Sequence, residues 1–215
     1  MIVTELSKGT KLYLLVGGKG TRLKSVTNGI PKPLVDIHGK PFISRVIENL
    51  SGFDITLVCS NDNVKYFKNF GYDVLNEGEP SGTAGWMTKT NLPESFYVMN
   101  GDTYFSGNIN VDRICSTIFV TQEFINGDEG YVLGKNGIVT NFIEKSIFAK
   151  GQKQLVNSGI YKLYKKDLYL PNRLPLSMEY DILTSMDLTY QVVDTQKFDI
   201  GTPERLETFR EWFNT

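Results

Sequence analysis

An apolar run that ends in closely spaced glycines is the feature that most constrains the fold of this chain. Residues 12–16 read LYLLV, and glycines follow at positions 17, 18 and 20. A continuous apolar run of this length predicts a strand buried on both faces, as in a parallel sheet. Glycines directly after such a strand allow a tight turn whose N–H groups approach a ligand closely, because no Cβ intervenes. The stretch therefore predicts an anion-binding loop at the carboxyl end of a parallel strand.

Two cations follow this loop. Arg22 offers a forked donor that suits phosphate, and Lys32 offers a compact ammonium between Pro31 and Pro33. The prolines restrict φ on both sides of the lysine, so less entropy is lost when its charge is aimed at a ligand. The Walker A pattern GxxxxGK[ST] and the dinucleotide pattern GxGxxG are both absent from residues 17–23. We interpret the stretch as a polyphosphate site of another class.

Strand and helix patterns alternate through the first half of the chain. Strands are predicted over residues 12–16, 54–60, 72–77 and 95–100, and helices over 41–50, 61–72 and 82–90. This alternation predicts a parallel sheet covered on both faces.

The second half has a different pattern. Asn136-Gly137 predicts a hairpin, and further strands are predicted at 155–164 and 190–195 before a closing helix at 202–213. We expect one α/β domain, 1–215, with an antiparallel sub-region. Residues 1–110 would bind a nucleotide, and residues 111–215 would bind the second substrate.

The overall composition excludes some functions. The net charge is −1, so no basic field indicates a nucleic-acid partner. No signal peptide or membrane-spanning run is evident. The two cysteines, Cys59 and Cys115, make no metal-binding pattern, and we interpret both as buried thiols in a reducing compartment. The expected location is the cytoplasm.

Residues 17–43, GGKGTRLKSVTNGIPKPLVDIHGKPFI, closely resemble the signature of the sugar-1-phosphate nucleotidylyltransferases, roughly GGxGTRLxxxTxxxPKPLxxIxGKPxI. That family has a Rossmann-like αβα fold and joins a sugar 1-phosphate to a nucleoside triphosphate, releasing pyrophosphate. The resemblance implies that Arg22 binds and polarises the triphosphate and that Lys32 lies at the reacting phosphates. It also implies that base and phosphates are held by Leu15, Gly17, Gly18, Gly20 and Thr21.

Two separated aspartates indicate a metal. Asp102 follows a predicted strand in MNGDTYF, and a carboxylate at that place beside a phosphate loop suits Mg²⁺. The family has this Gly-Asp as a metal ligand, and its late D-x-G-T-P motif supplies a second carboxylate, here Asp199. The resemblance therefore implies Mg²⁺ as the cofactor.

The same resemblance indicates a sugar-phosphate site. The family motif F-x-E-K corresponds to Glu144 and Lys145, with the lysine on the sugar's phosphate and the glutamate on sugar hydroxyls. The motif N-x-G-I-Y corresponds to Asn157, which would bond the sugar. Ser146 replaces the usual proline. We interpret Glu179 and Asp181, in SMEYDIL, as structural.

Residues 76–86, NEGEPSGTAGW, resemble the family's base-reading loop and place Glu77, Gly82 and Thr83 at the nucleotide. A carboxylate only accepts hydrogen bonds, and guanine presents two adjacent donors, so Glu77 favours GTP. Related UTP enzymes carry a similar glutamate, which leaves uracil open. Ser81 replaces the common leucine. The LKSV after Arg22 and the short chain resemble the small heptose and mannose 1-phosphate guanylyltransferases.

Two alternatives remain open. The first is a cytidylyltransferase or uridylyltransferase for another phosphate substrate, such as phosphocholine. The second is a non-catalytic nucleotide sensor of the same fold, although such a protein tends to lose the phosphate-binding arginine, lysine or metal aspartate present here. The sequence does not indicate which sugar is used, and it is compatible with a homo-oligomer.

Overall fold

The computed structural model describes residues 1–3, 9–18, 23, 27, 29–127, 129–144 and 149–214 of the chain. Its described strands are β1 (Ile2–Val3), β2 (Thr10–Leu15), β3 (Asp36–Ile37), β4 (Lys40–Pro41), β5 (Leu50–Ser51), β6 (Phe53–Cys59), β7 (Asp73–Asn76), β8 (Ser95–Asn100), β9 (Thr103–Phe105), β10 (Ile109–Asn110), β11 (Thr117–Phe124), β12 (Tyr131–Lys135), β13 (Ile138–Ile143), β14 (Lys153–Tyr164), β15 (Thr189–Val192) and β16 (Lys197–Asp199). Its described α-helices are α1 (Phe42–Glu48), α2 (Asn61–Phe67) and α3 (Pro203–Phe213).

A mixed sheet of nine strands forms the centre of this α/β fold, in the order β11-β15-β13-β12-β14-β8-β2-β6-β7. Strands β8, β2, β6 and β7 are parallel neighbours, as the alternating pattern predicts. The antiparallel strand β14 joins this parallel part to the second half of the chain. Because β11 also pairs with β14, the five strands β14, β11, β15, β13 and β12 close into a ring.

The two faces of the sheet carry separate apolar clusters. On β2, Leu12 and Leu14 face the cluster that contains buried side chains of all three α-helices, whereas Tyr13 faces the other cluster. Successive side chains of a strand point to opposite faces, so a strand covered on both faces is apolar throughout. The run LYLLV has this pattern.

The predicted helix at 82–90 is only a short 3₁₀ turn, Gly85–Lys89. Its Trp86 and Met87 cover the second cluster together with a π-helical turn, Met178–Ile182. Gly82 adopts φ +87° and Thr90 has extended backbone, so the predicted helix neither begins at 82 nor continues past 89.

Residues near both ends of the described chain make defined contacts. Ile2–Val3, to which the sequence pattern assigns no role, forms β1 between β5 and β10. The ammonium group of Met1 donates to the Gly107 carbonyl at 2.8 Å. Near the other end, the sequence predicts a helix at 202–213, and there Thr202 caps α3 by accepting a hydrogen bond from the Arg205 N–H, with Pro203 in the first turn.

The cysteine prediction is half right. Cys59 is a buried free thiol, and burial, with the nearby charge of Glu77, raises its pKa to about 11. Cys115 is exposed, which corrects the prediction that both thiols are buried. It precedes β11 in a loop, where its Sγ lies 3.3 Å from Thr189 Oγ1. Among the residues that the structure describes, no helix is long and apolar enough to cross a membrane.

Candidate active site

A cavity of about 350 Å³ opens beside the carboxyl ends of the parallel strands. Eight of the residues predicted from the sequence line it: Leu15, Gly17, Gly18, Lys32, Glu77, Gly82, Thr83 and Asp102. Sequence reasoning missed other lining residues, among them Val58, Trp86 and Asn100. Val58 and Asn100 lie near the ends of β6 and β8, so the sheet order, rather than a motif, brings them here.

Four predicted residues, Gly20, Thr21, Arg22 and Lys145, lie outside the part of the chain that the structure describes. The other predicted residues, Glu144, Asn157 and Asp199, are not among the lining residues of the cavity.

The first two glycines of the loop have different surroundings. A Cβ on Gly17 would lie 2.8 Å from the Cα of Cys59 and 3.2 Å from the N of Ser60, so the loop packs directly against the end of β6. A Cβ on Gly18 would meet no described atom within 4 Å. Gly17 is therefore required for close backbone packing, whereas Gly18 leaves open space in the wall of the cavity.

Lys32 and Asp102 form an ion pair in the cavity wall. Lys32 begins a 3₁₀ turn, Lys32–Leu34, directly after Pro31 at φ −55°, and Pro33 is buried. Asp102 follows β8, where the N–H of Gly101 donates to the Leu15 carbonyl at 2.9 Å. The two partners are 70 positions apart in the sequence, and they are brought together by the pairing of β2 with β8 and by the fixed Pro-Lys-Pro backbone.

Asp102 and Asp199 lie at adjoining ends of β9 and β16. Asp199 pairs with Thr103, and the N–H of Ile200 donates to the Asp102 carbonyl at 3.1 Å. Asp199 Oδ1 accepts hydrogen bonds from Gly201 N and Arg205 Nη1, each at 3.0 Å. The described residues contain no cluster of three or more His, Cys, Asp or Glu side chains suited to a metal. Two partly exposed carboxylates fit Mg²⁺, which takes one or two protein carboxylates and fills its shell with water and phosphate oxygens.

The Glu77 carboxylate is held in place by Ser81. Glu77 is buried, and its Oε2 accepts hydrogen bonds from both the hydroxyl and the N–H of Ser81, the latter at 3.2 Å. Lys89 donates to the Glu77 carbonyl. The sequence shows Ser81 only as a departure from the family's leucine, and its hydrogen bonds to Glu77 emerge from the structure.

Residues 81–84 are held by backbone hydrogen bonds to Leu176, which lies almost a hundred residues later in the chain. Ala84 N donates to the Leu176 carbonyl at 3.0 Å, and Leu176 N donates to the Ser81 carbonyl at 2.9 Å. Between them Gly82 adopts φ +87°, and a Cβ there would collide with the Leu176 carbonyl. This position therefore requires glycine on two grounds.

Thr83 makes the remaining contacts of this loop. Its hydroxyl accepts from Met178 N at 2.7 Å and donates to Glu179 Oε2 at 3.2 Å. Glu179 thus connects to a residue that lines the cavity. Asp181 accepts from Ser177 N at 2.7 Å, and that hydrogen bond lowers its pKa, with Arg173 as a further cause.

Asn157 and Glu144 meet at Gly130. Asn157 N donates to the Gly130 carbonyl at 2.8 Å, and the Glu144 carboxylate occupies the space where a Gly130 Cβ would stand. The Asn157 side chain donates to the Tyr161 hydroxyl at 2.7 Å. Burial raises the pKa of Tyr161 well above its usual value, with the Glu179 charge as the next cause. Sequence reasoning assigned Tyr161 no role.

Comparisons with known proteins indicate the family of this chain. Residues 12–118 match the MobA-like NTP transferase domain. The chain is 31% identical to the D-glycero-alpha-D-manno-heptose 1-phosphate guanylyltransferase of Campylobacter jejuni over 220 aligned positions, which cover 89% of this chain and 94% of the relative.

Solved structures share the fold. The chain resembles HddC from Yersinia pseudotuberculosis, solved in complex with GMP-PN, at a TM-score of 0.75 and 30% identity, with 95% and 99% of the two chains covered. The inositol-1-phosphate CTP transferase from T. maritima also gives a TM-score of 0.75, with 96% of each chain covered, but at 18% identity this likeness shows the fold alone.

The fold and the cavity at its strand ends are those of a nucleotidyltransferase, which is an enzyme class. The chain belongs to the sugar-1-phosphate nucleotidylyltransferase family, which confirms the resemblance read from residues 17–43.

Proposed function

We propose that this nucleotidylyltransferase condenses GTP with a sugar 1-phosphate to give a GDP-sugar and pyrophosphate. One observation carries the proposal: a single cavity joins the Lys32–Asp102 pair to a buried carboxylate acceptor, Glu77. The Lys32 ammonium suits phosphates, the Asp102 carboxylate suits a metal ion that binds them, and Glu77 suits the donor edge of guanine. Because the Campylobacter jejuni relative is a heptose 1-phosphate guanylyltransferase, its sugar phosphate is the first candidate substrate.

Glu77 favours guanine over the other bases for a simple reason. Its carboxylate can only accept hydrogen bonds, and Ser81 fixes its orientation through Oε2. Guanine presents N1–H and an exocyclic amino group side by side. Uracil presents one donor between two carbonyl oxygens, and cytosine presents one amino donor beside an acceptor nitrogen. A fixed acceptor therefore has two partners on guanine and one on each pyrimidine.

The reaction needs little covalent chemistry from the protein. A phosphate oxygen of the sugar 1-phosphate attacks the α-phosphorus of GTP, the bond to the bridging oxygen breaks, and pyrophosphate leaves. The protein positions two anions that repel each other and offsets their charge. Lys32 would lie at the reacting phosphates, and the backbone at Gly17 and Gly18 would hold the triphosphate.

Further charge would come from Arg22 and Lys145, by the family resemblance. Asp102 and Asp199 would hold Mg²⁺, which when bound neutralises phosphate charge and orients phosphate oxygens. We assign the sugar side to Glu144 and Asn157, which meet at Gly130.

The two halves of the chain divide this work. Every described residue that lines the cavity, from Leu15 to Asp102, comes from the proposed nucleotide half, 1–110. The assigned sugar residues and Asp199 come from 111–215. We place the reaction in the cytoplasm, in keeping with the two free thiols.

Pyrophosphate release tests the proposal directly. The purified enzyme with Mg²⁺ would be offered GTP, UTP, CTP, ATP and dTTP, each against a panel of sugar 1-phosphates and phosphocholine. We expect release with GTP and one sugar 1-phosphate. A signal confined to CTP and phosphocholine would replace the proposal with the cytidylyltransferase alternative. Binding of a triphosphate without release on any substrate would favour the sensor.

Variants connect that activity to the site. Lys32→Ala and Asp102→Asn should each lower turnover at least about a hundredfold, since each removes a charge that acts on the phosphates. A melting temperature close to the wild-type value would show that the fold is retained. Near-normal turnover in either variant would overturn the assignment.

A further inference from the structure

Two ion pairs connect the segment that carries Asp199 to β11 and to the connection between β11 and β12 on the sugar side. Lys197 Nζ lies 3.3 Å from Glu123 Oε1 in β11, and Arg205 Nη2 lies 3.3 Å from Glu129 Oε1 just before β12. The two cations flank Asp199 in the sequence. Glu123 precedes the sugar-side loop, which we define as residues 125–127, 129 and 130, and Glu129 is part of that loop. The segment therefore contacts both the strand before the loop and the loop itself.

Among its contacts with the described residues, the Arg205 guanidinium group binds the carboxylates of Asp199 and Glu129. Nη1 donates to Asp199 Oδ1 at 3.0 Å, while Nη2 donates to Glu129 Oε1 at 3.3 Å. The planar fork fixes the direction of both bonds, which a lysine ammonium cannot do. The side chains of Arg205 and Glu129 are 31% and 18% exposed, so water screens this pair less than an ordinary surface pair.

Glu129 in turn organises the loop. Its Oε2 accepts hydrogen bonds from Asn126 N at 3.0 Å and from Gly127 N at 3.2 Å. One carboxylate therefore holds two backbone groups on one oxygen and the Arg205 guanidinium on the other. A displacement of Arg205 would be transmitted to the backbone of the loop.

The loop ends at the residues assigned to the sugar. The Gly130 carbonyl accepts from Asn157 N at 2.8 Å, and Gly130 lies against the Glu144 carboxylate. A continuous chain of contacts thus runs from Asp199 through Arg205 and Glu129 to the sugar side.

We propose that Arg205 is a positioning residue for the sugar 1-phosphate, holding the sugar-side loop at a fixed place relative to the Asp199 carboxylate. The inference rests on the proposed function, because that function is what assigns roles to Asp199, Glu144 and Asn157. Arg205 itself need not touch either substrate. Its removal should weaken the use of the sugar 1-phosphate and spare that of GTP.

Three variants separate the hydrogen bond from Arg205 to Glu129 from the one to Asp199. Glu129→Gln weakens only the bond to the loop residue, and Arg205→Met removes both bonds while keeping an unbranched apolar side chain. Arg205→Lys keeps the charge but cannot bridge two carboxylates. The control is Arg210→Met, on the same helix, where Arg210 pairs with Glu207 at 2.6 Å and donates to the Asp36 carbonyl.

Steady-state kinetics of the full-length enzyme supply the first readout. We expect Glu129→Gln and Arg205→Met to raise the KM for the sugar 1-phosphate about tenfold or more, with the KM for GTP within about twofold of wild type. Arg205→Lys should resemble Arg205→Met, and Arg210→Met should change neither KM. An unchanged KM for the sugar 1-phosphate, or an equal rise in both KM values, would overturn the proposal.

Hydrogen exchange of the free protein supplies a readout that needs no substrate. Peptides covering residues 121–131 should exchange faster in Glu129→Gln and Arg205→Met than in Arg210→Met. Unchanged exchange would contradict the proposal that Arg205 holds the sugar-side loop in place. If the wild-type enzyme used no sugar 1-phosphate at all, the proposed function would fail. The exchange measurement would then still decide whether Arg205 holds the loop.

Discussion

Replacing Glu77 by glutamine tests how the base is selected. Glu77 is buried at the edge of the cavity, and its Oε2 is the acceptor for two donors of Ser81. In Glu77→Gln the single amide oxygen must serve those donors, because the Ser81 N–H has a fixed direction. The amide NH₂ then points toward the base, where it meets the N1–H and amino donors of guanine.

The size of the effect follows from the bonds that are lost. A hydrogen bond to a charged group contributes about 1.5–3 kcal/mol, and each 1.4 kcal/mol corresponds to roughly a tenfold change. Loss of one charge-assisted bond to guanine therefore predicts a fall in kcat/KM for GTP of roughly 10- to 150-fold. Because no phosphate contact changes, the loss should depend on the base.

The assay compares GTP with inosine triphosphate, which lacks the exocyclic amino group. Wild-type enzyme should prefer GTP, and Glu77→Gln should lose most of that preference. Ser81→Ala is the matched control, because it removes one donor to Glu77 and keeps the carboxylate, so its loss should be smaller. If kcat/KM for GTP in Glu77→Gln stays within about threefold of wild type while the melting temperature is unchanged, the assignment of Glu77 to the base is wrong.

Two other predictions follow from packing and burial. Gly17→Ala should lower the melting temperature, because its Cβ would lie 2.8 Å from the Cys59 Cα, whereas Gly18→Ala should fold normally and weaken triphosphate binding, measured by calorimetry. Equal melting temperatures for the two would contradict this distinction. Burial lowers the pKa of Lys162 to about 8, and its ammonium lies 4.2 Å from the centre of the Tyr97 ring. Since the unfolded chain keeps that proton up to the ordinary pKa of 10.5, the folded state gains stability as the pH rises from about 8 to 10.5. Denaturant titrations should show wild type gaining free energy of unfolding relative to Lys162→Met across this range, and a constant difference would refute the argument.

Elements with strong local signals were predictable. Asn136 and Gly137 adopt φ of +53° and +80°, the conformation that a two-residue hairpin turn requires and that these residue types tolerate. Helix α3 begins after Thr202 because a capping hydroxyl and a proline in the first turn are signals that neighbouring residues alone supply. The outcome at 82–90 differs, since a helical pattern there gives only a short 3₁₀ turn.

The candidate site likewise has features that the sequence predicts and features that only the structure shows. The motifs and the family resemblance predict Lys32, Glu77 and Asp102 as site residues, and the structure brings all three to one cavity. They could not show that Ser81 holds the Glu77 carboxylate. They also gave no reason to separate Arg205 from the other exposed charges of an amphipathic helix.

The sequence by itself determined the apolar strands, the glycine loop, the hairpin, the capped final helix and the family. These depend on backbone conformations and patterns set by residues close together in the chain. Only the tertiary structure decided that Cys115 is exposed, that Ile2–Val3 forms a strand, and that Arg205 joins Asp199 to Glu129. Each depends on which distant segments the sheet order brings together. A contact such as Arg205 with Glu129, 76 residues apart, leaves no periodic or compositional trace in either segment.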